Sequence, residues 1–416
     1  MTAAPGSAPT VPSRAIGAVT IAEHCHRVDN LLAPLRSTHR VPIRDALGAV
    51  LAADVQAINE LPAFANSAVD GFAVRARDVE AASRGTPVTL TVATYLPAGV
   101  TDARSLAPGT AAQIMTGAPI PNGADTVIAV EDTTGFVRDR AYPLVSVFVS
   151  MALGANIRAR GEDIGRHACV ARAGTEVTPA LIGALGALGL ASIEVFRRLT
   201  VAILTTGAEL VAPGTPLGFG RIHESNSAML EALVRGTGAE VVSVQTVGDD
   251  TASFRRDLID AANGCDVVIT SGGVSAGTHE VVREATTGEG VTFGPVLVRP
   301  GKPQGLGTFH GTPLIALPGN PVSSFVSFEV FVRSGLRVAM GHRTAGRVVR
   351  TVTVTEAIPG RGSVRQFLLG LTSDGSVTPL DAHAPIAALA ASNCLIDVNS
   401  DSGIERGAAV HTWSLE

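Results

Sequence analysis

Residues 200–207 read TVAILTTG, residues 266–273 read DVVITSGG, and residues 312–319 read TPLIALPG. Each is a short apolar run that ends in polar and glycine residues, which is typical of strands buried on both faces of a parallel sheet. The third run leads into NPVSSFVSFEVFVRSG, a helix pattern with asparagine as N-cap and proline at the first helical position. These runs predict an α/β domain with a doubly wound parallel sheet.

The intervening segments continue the same alternation of strand and helix. In chain order they predict a helix in 225–238, a strand in 240–247, a helix in 251–263, the start of a helix in 279–286 and a strand in 291–298.

The flanking regions have a different character. Residues 18–35 predict a helix, and residues 40–55 predict a short strand followed by a helix around 46–52. Short β runs divided by Gly and Pro fill 61–149, and alternating residues around an Asp-Gly hairpin signal fill the C-terminal segment. The chain is therefore predicted to be a multidomain α/β protein. Its parts are a disordered tail at 1–14, a β-rich lobe at 61–149 between mixed segments at 15–60 and 150–197, the α/β domain at 198–342, and a small β-barrel or sandwich at 343–416.

Composition restricts the class of protein. The 416 residues carry a net charge of −5, and no basic run suggests nucleic-acid binding. The most apolar stretch, 180–191, is too short to span a membrane and predicts a short buried helix between Thr178 and Gly189. The start of the chain does not resemble a signal peptide, and the four cysteines form no CxxC pair, so a reducing cytoplasmic setting is expected.

Ligands of open α/β sheets bind beyond the carboxyl ends of the strands, where this chain's unusual residues collect. The glycine-rich turn with Ser271, Gly272, Gly273 and Ser275 offers backbone N–H groups to an anion. The rigid Pro318-Gly319-Asn320-Pro321 turn opens the final helix at the same edge, although simple helix capping explains it equally well.

A single lysine, Lys302, stands among the 32 basic residues, in Arg299-Pro300-Gly301-Lys302-Pro303. Because lysine is a compact point charge and arginine a wide planar fork, a narrow oxyanion loop can require lysine specifically. The alternative is compositional drift towards arginine, but a lysine that remained by chance would more often lie on an exposed helix. Together with the two turns, Lys302 predicts a cradle for a phosphorylated ligand.

Two acids fall on adjacent loops of this edge, Glu209 and Asp249, and carboxylates near phosphates commonly hold Mg²⁺. Asp250 precedes a helix and is interpreted as its cap. His24-Cys25-His26 is not expected to bind a metal, since neighbouring helix positions do not converge. His279 is expected to be a solvated side chain.

The ordered motifs of this chain resemble those of the MoeA family of molybdopterin molybdenumtransferases, which includes the E domain of gephyrin. The matching segments are PAFANSAVDGFAV (62–74), IMTGAPIPNGADTVIAVED (114–132), RGEDIG (160–165), TTGAELVAPGTPLGFGRIHESNSAML (205–230), TSGGVSAG (270–277), RPGKP (299–303) and LPGNPVSS (317–324). The middle domain is shared with molybdopterin adenylyltransferases and related nucleotide enzymes, so the N-terminal motifs and the β-rich tail select this family.

The resemblance implies a cytoplasmic homodimer that inserts molybdenum from molybdate into adenylylated molybdopterin and releases AMP, assisted by Mg²⁺ or Zn²⁺. It implies that the segments at 15–60 and 150–197 form one N-terminal linker-type domain into which the lobe at 61–149 is inserted. It implies five catalytic residues, Asp70 from the opposite subunit, Glu209, Asp249, Glu280 and Lys302, with Glu209 and Asp249 near the metal. It implies substrate binding by Thr116, Ser271, Gly272, Gly273, Ser275, Arg299, Pro318, Gly319, Asn320 and Pro321. A molybdopterin adenylyltransferase and apo-molybdoenzymes are the implied protein partners.

The chain departs from the family's usual residues at Ala65, Val69, Phe72, Ala208, His223-Glu224, Glu280 and Pro295. These departures leave two other functions open: a sibling enzyme that cleaves a nucleotide pyrophosphate without molybdate, or a non-catalytic carrier or scaffold. The retained Asp70, Glu209 and Lys302 favour the enzyme.

Overall fold

The structure is a computed structural model that describes residues 17–101, 104–137, 143–275, 280–362, 364–399 and 401–416. The tail expected at 1–14 and the side chain of His279 lie outside these ranges. Within them, no helix combines the length and apolar character needed to cross a membrane.

The helices and strands fall into three groups along the chain. Before residue 198 they are α1 Ile21–Leu32, β1 Thr38–Pro42, β2 Val55–Gln56, β3 Asn66–Ser67, β4 Gly71–Val74, β5 Val88–Leu96, β6 Thr110–Ile114, β7 Thr126–Ala129, β8 Leu144–Val147, β9 Ile157–Arg158, β10 Cys169–Ala171, α2 Pro179–Ala187 and β11 Ser192–Phe196. In the middle they are β12 Thr200–Thr206, β13 Leu210–Val211, β14 Ile222–His223, α3 Asn226–Arg235, β15 Glu240–Val247, α4 Thr251–Asn263, β16 Val267–Ser271, α5 Val281–Ala285, β17 Gly290–Pro295, β18 Val298–Arg299, β19 Pro303–Phe309, β20 Thr312–Leu317, α6 Pro321–Ser327 and α7 Arg333–Ala339. Towards the C-terminus they are β21 Val349–Val354, β22 Ile358–Pro359, β23 Arg365–Ser373, β24 Ser376–Pro379, α8 Pro385–Ala391, β25 Cys394–Val398, β26 Gly403–Ile404 and β27 Ala409–Ser414.

The central sheet has the strand order β15-β12-β16-β20-β19-β17. The first four strands are parallel, as predicted. Alternate residues of β12 face opposite sides: Val201 and Ile203 pack in one core with α3, while Ala202 and Leu204 pack in another with α4. Helices therefore cover both faces, and all four carboxyl ends meet at one edge.

The sheet contains one strand that the sequence analysis missed. Strand β19 lies antiparallel between β20 and β17. Its sequence, PQGLGTF, has two glycines, which disfavour a strand prediction. Close packing accounts for one of them, because a Cβ on Gly307 would lie 2.0 Å from the carbonyl oxygen of Gly290 on β17.

The N-terminal region forms a five-stranded sheet in the order β7-β4-β6-β5-β8. Strands β5, β6, β7 and β8 come from runs predicted to be strands, whereas β4 lies in a segment that was interpreted as an ordered loop. Three short antiparallel pairs, β1 with β11, β2 with β10 and β3 with β9, join the segments before and after this five-stranded sheet. This pairing agrees with an inserted lobe, although the domain boundaries stay a prediction.

Two details of the N-terminal region differ from the prediction. No helix forms around 46–52: Gly48 has a φ of +71° and donates its N–H to Val177, and Leu51 donates to Thr175, so this segment pairs with a neighbouring strand segment. Helix α2 has the predicted N-cap at Thr178. Its prediction as buried was wrong, because Leu185 is its one buried residue.

The C-terminal strands close into a small barrel, which confirms that prediction. The order β23-β24-β21-β27-β25 is completed by pairing of β25 with β23. Asp374 and Gly375, both with positive φ, form the turn between β23 and β24. Strand β18 adds to the edge of this barrel sheet and so connects it to the central domain.

A buried ion pair fastens the barrel to the last helices of the central domain. Glu329 lies in a π-helical turn at 328–332, and its side chain is inaccessible to solvent. Arg347 binds both carboxylate oxygens at 2.8 Å and also donates to the carbonyl of Leu415. This contact joins three separate segments.

The described structure contains the four cysteines as free thiols. Burial raises the pKa of Cys25 and of Cys394 to about 11, and burial also raises the pKa of Cys265.

Glu329→Gln should lower the free energy of unfolding by about 3 kcal/mol, because removing one partner of a buried ion pair leaves the other charge uncompensated. Urea denaturation followed by the fluorescence of Trp413, the sole tryptophan, would measure this in the barrel itself. Glu231→Gln is a matched control, since its 2.8 Å pair with Arg235 lies on an exposed helix face and should contribute less than about 0.5 kcal/mol. Equal effects of the two variants would contradict the assignment.

Candidate active site

A cavity of about 480 Å³ lies beyond the carboxyl ends of β12, β16 and β20. We call it the principal cavity. Most of the residues predicted for the site line it: Glu209, Asp249, Ser271, Gly272, Gly273, Ser275, Glu280, Pro318, Gly319, Asn320 and Pro321. The structure thus brings together residues separated by more than a hundred positions in sequence.

The glycine-rich turn after β16 forms one wall. Gly272 and Gly273 have φ values of +97° and +61°, which favour glycine. A Cβ on Gly272 would lie 2.4 Å from the carbonyl oxygen of Thr206, and one on Gly273 would lie 3.0 Å from the backbone nitrogen of Val282. The turn is glycine-rich because the backbone here packs against two neighbouring segments, and its backbone faces the cavity.

The Pro-Gly-Asn-Pro turn forms an adjoining wall, since a Cβ on Gly319 would lie 3.3 Å from the Cα of Gly272. Asn320 caps α6 by accepting the N–H of Ser323 at 3.1 Å, so the structural interpretation of this residue is correct. The turn also lines the cavity, so capping and ligand binding are compatible here.

The predicted acids converge on the cavity from separate loops. Asp249 accepts hydrogen bonds from the Thr206 hydroxyl at 2.8 Å and from the N–H of Ala208 at 2.7 Å. Asp250 caps α4 through Ser253, as expected. The carboxylate of Glu280 accepts the N–H of Ser275 at 2.9 Å and closes the glycine-rich turn. Glu209 lies on the same rim and is exposed.

Two buried residues of the cavity wall were not predicted as site residues. Glu224 accepts the N–H groups of Asn226 and Ser227 at the start of α3. Asn226, the first residue of α3, donates its side-chain N–H₂ to the Ser271 hydroxyl at 3.0 Å and to the carbonyl of Gly319 at 2.7 Å. The one sequence signal for this pair is an acid placed two residues before a helix that begins with asparagine.

Lys302 lies beside the principal cavity. It lines a neighbouring cavity of about 350 Å³ with Arg283, and Ser275 and Pro303 border both cavities. We call this neighbour the lysine cavity. Arg299 lines neither of them; it is exposed on β18, opposite Gln366 of the barrel sheet.

Asp70 and Thr116 lie together on the N-terminal lobe, and neither lines the principal cavity of this chain. The backbone N–H and the hydroxyl of Thr116 both donate to one oxygen of Asp70 at 2.7 Å. These hydrogen bonds lower the pKa of the exposed Asp70 carboxyl below its ordinary value. The pair presents a fixed negative charge to solvent.

The two cavities differ in charge. Glu209, Glu224, Asp249 and Glu280 line the principal cavity, where His223 is the one basic side chain among the described lining residues. Lys302 and Arg283 line the lysine cavity, where the described lining residues include no acid. No cluster of three or more His, Cys, Asp or Glu with metal-binding geometry occurs in the described ranges.

These features define an α/β protein with a polar cavity at the carboxyl edge of its parallel sheet and two β-rich regions attached. Residues 19–189 match the family described as the MoeA N-terminal region (domain I and II), and residues 202–338 match the probable molybdopterin binding domain. The chain belongs to the MoeA family of molybdopterin molybdenumtransferases.

The relatives span nearly the whole chain. Molybdopterin molybdenumtransferase 2 of Mycobacterium tuberculosis is 42% identical over 95% of this chain and 99% of its own length. The molybdopterin molybdenumtransferase of Bacillus subtilis is 32% identical over 90% of this chain and 89% of its own. The crystal structure of a molybdopterin biosynthesis MoeA protein from Pyrococcus horikoshii superposes with a TM-score of 0.81 at 27% identity, covering 96% of this chain and 99% of that one.

Thr116→Val should raise the pKa of Asp70 towards its ordinary value, because the variant loses the hydroxyl donor and keeps the backbone one. A pH titration of the Asp70 carboxyl by NMR measures the change. Thr110→Val, at the start of the strand that precedes Thr116, removes a hydroxyl that donates to Ala107 and should leave the Asp70 titration unchanged. An unaltered Asp70 pKa in Thr116→Val would refute the hydrogen-bond explanation.

Proposed function

We propose that this protein inserts molybdenum from molybdate into adenylylated molybdopterin and releases AMP, as a step of molybdenum cofactor biosynthesis. The observation that carries this proposal is near full-length similarity to proteins named molybdopterin molybdenumtransferase. The cavity built from the predicted motifs supports it, because the reaction needs a site for phosphates beside a site for a second anion.

The walls of the principal cavity are suited to the phosphates. The glycine-rich turn and the Asn320-Pro321 turn that opens α6 both line it, and turns of these kinds commonly bind phosphates. Cleaving the anhydride requires that the leaving phosphate's charge be neutralised and that the nucleophile be held in line. We assign the charge neutralisation to Lys302 and the orientation to Glu280 and the turn that it closes.

An anionic substrate needs a bound cation in the principal cavity, because the four carboxylates that line the cavity would otherwise repel it. Glu209 and Asp249 suit Mg²⁺, which needs one or two protein oxygens beside substrate and water, and Zn²⁺ is a second candidate. The two donors to Asp249 leave lone pairs on its oxygens for a metal. When bound, the metal would neutralise phosphate charge.

Asp70 and Thr116 fit this scheme if a second copy of the chain supplies them. Within one chain they are exposed and lie on a different lobe from the principal cavity. We therefore propose a homodimer whose active site combines the central domain of one subunit with the N-terminal lobe of the other. The roles proposed for Arg299 and Thr116 in substrate binding depend on that assembly.

The remaining proposals concern the cellular setting. A molybdopterin adenylyltransferase would supply the substrate and apo-molybdoenzymes would receive the product. The free cysteines agree with a cytoplasmic location.

The decisive measurement is AMP release from adenylylated molybdopterin with Mg²⁺, with and without molybdate. We expect release that requires molybdate, and we expect Asp70→Asn to abolish molybdenum insertion while pterin binding stays measurable. Release without molybdate would indicate the sibling nucleotide enzyme. Tight pterin binding without any release would indicate a carrier or scaffold. Normal molybdenum insertion by Asp70→Asn would show that Asp70 is not part of the active site.

Asp249→Asn should increase the Mg²⁺ concentration needed for half-maximal AMP release, by about tenfold, because a neutral amide is a weaker ligand for a hard cation. Asp250→Asn is the matched control: it removes the neighbouring charge, but asparagine caps a helix as well as aspartate does. Its Mg²⁺ requirement should equal that of the wild type. The same shift in both variants would mean that the effect is general electrostatics and not ligation.

A further inference from the structure

Gln304, the second residue after Lys302, is buried beneath the loop that carries the lysine. Its side-chain nitrogen Nε2 donates to the carbonyl oxygen of Gly301 at 2.7 Å and to the hydroxyl of Ser327 at 2.8 Å. The residue is 2% exposed, so both hydrogen bonds are shielded from water.

The orientation of this amide follows from its partners. A carbonyl oxygen only accepts hydrogen bonds, so the side-chain N–H₂ must face Gly301. The oxygen Oε1 is then directed elsewhere, and it has no hydrogen-bond partner among the described residues. A buried polar atom without a partner is destabilising, so packing alone does not favour glutamine at this position.

The backbone on both sides of the Lys302 side chain is fixed. Gly301 has a φ of +97°, and a Cβ there would lie 2.5 Å from the Ser327 hydroxyl, so the loop lies directly against α6. The carbonyl oxygen of Lys302 accepts the N–H of Val296 at 2.8 Å. Gln304 therefore holds the residue before Lys302, while Val296 holds Lys302 itself.

The same amide joins two walls of the site. Ser327 is the last residue of α6, the helix whose first turn lines the principal cavity, and Gly301, which packs against this helix, lines the same cavity. Lys302 lies between the two cavities, because its neighbours Gly301 and Pro303 both border the principal one. A change at Gln304 would alter the distance between the lysine loop and the helix.

We propose that Gln304 is a positioning residue that acts through Gly301 to hold Lys302 at the anion site. The proposal rests on the proposed function in one respect: Lys302 must bind an oxyanion of the substrate. Gln304 itself touches no reacting atom.

The single lysine makes the test direct. Acetic anhydride modifies Lys302 and the N-terminal amine, and peptide mass spectrometry separates the two because no other lysine is present. Inorganic pyrophosphate, as the probe anion, should protect Lys302 from acetylation in the wild type. In Gln304→Met, which keeps the shape and lacks the donors, half-protection should require about tenfold more pyrophosphate, since a displacement of about 1 Å costs that much or more.

Two further variants make the test specific. Ser327→Ala keeps the bond to Gly301 and should give an intermediate effect. Thr126→Val removes a buried hydroxyl that donates within the N-terminal lobe, and it should leave protection unchanged even if the melting temperature falls. If Gln304→Met lowers the melting temperature without changing the protecting concentration, Gln304 is purely structural and the proposal is wrong. Absence of protection in the wild type would overturn it as well.

AMP release measured on the same variants separates the two proposals. A wild type that is protected by pyrophosphate but releases no AMP would overturn the proposed function and leave the role of Gln304 intact. Molybdate-dependent AMP release, together with equal protection of Lys302 in the wild type and in Gln304→Met, would support the proposed function and overturn the role of Gln304.

Discussion

The side-chain amide of Asn226 determines the geometry of the principal cavity. Its two N–H groups bind Ser271 at the end of β16 and the carbonyl of Gly319 at the end of β20, and Ser271 in turn donates to Pro318. Three loops from distant parts of the chain thereby meet at one buried side-chain amide, whose N–H₂ group donates a hydrogen bond to each of two of them. Glycine-rich loops have little intrinsic preference for one conformation, so this contact, which lies in a region of low dielectric, fixes the shape that the ligand encounters.

The parts of the fold that depend on the pattern of a few neighbouring residues could be predicted from the sequence. The parallel strands, the proline that opens α6 and the Asp374-Gly375 turn each have a signal within a few residues. Strand β19 lacked such a signal, because its two glycines disfavour a strand prediction. They are present because the neighbouring strands pack too closely for a Cβ. The helix expected around 46–52 failed because its backbone groups found partners on a distant segment.

The same distinction applies to the candidate site. The glycine-rich turn and the acids were found because loops at strand ends can be located from sequence. Asn226 and Gln304 were missed because their roles arise from contacts across tens of residues, and each looks like an ordinary polar residue in isolation. Arg299 was placed on the rim because it neighbours Lys302, whereas the short strand β18 directs it to the barrel sheet.

The arrangement of the cysteines has a consequence for sulfur chemistry. The proposed substrate carries a dithiolene, and the metal that it receives binds soft sulfur ligands well. A protein thiolate would compete for this metal, but burial raises the pKa of Cys25, Cys265 and Cys394 and so disfavours their thiolate forms. The fourth cysteine, Cys169, is exposed on β10. None of the described residues that line the principal or lysine cavity is a cysteine. Among the described residues, neither cavity wall therefore offers a thiol that could exchange with the sulfurs of the proposed substrate or compete with them for the metal.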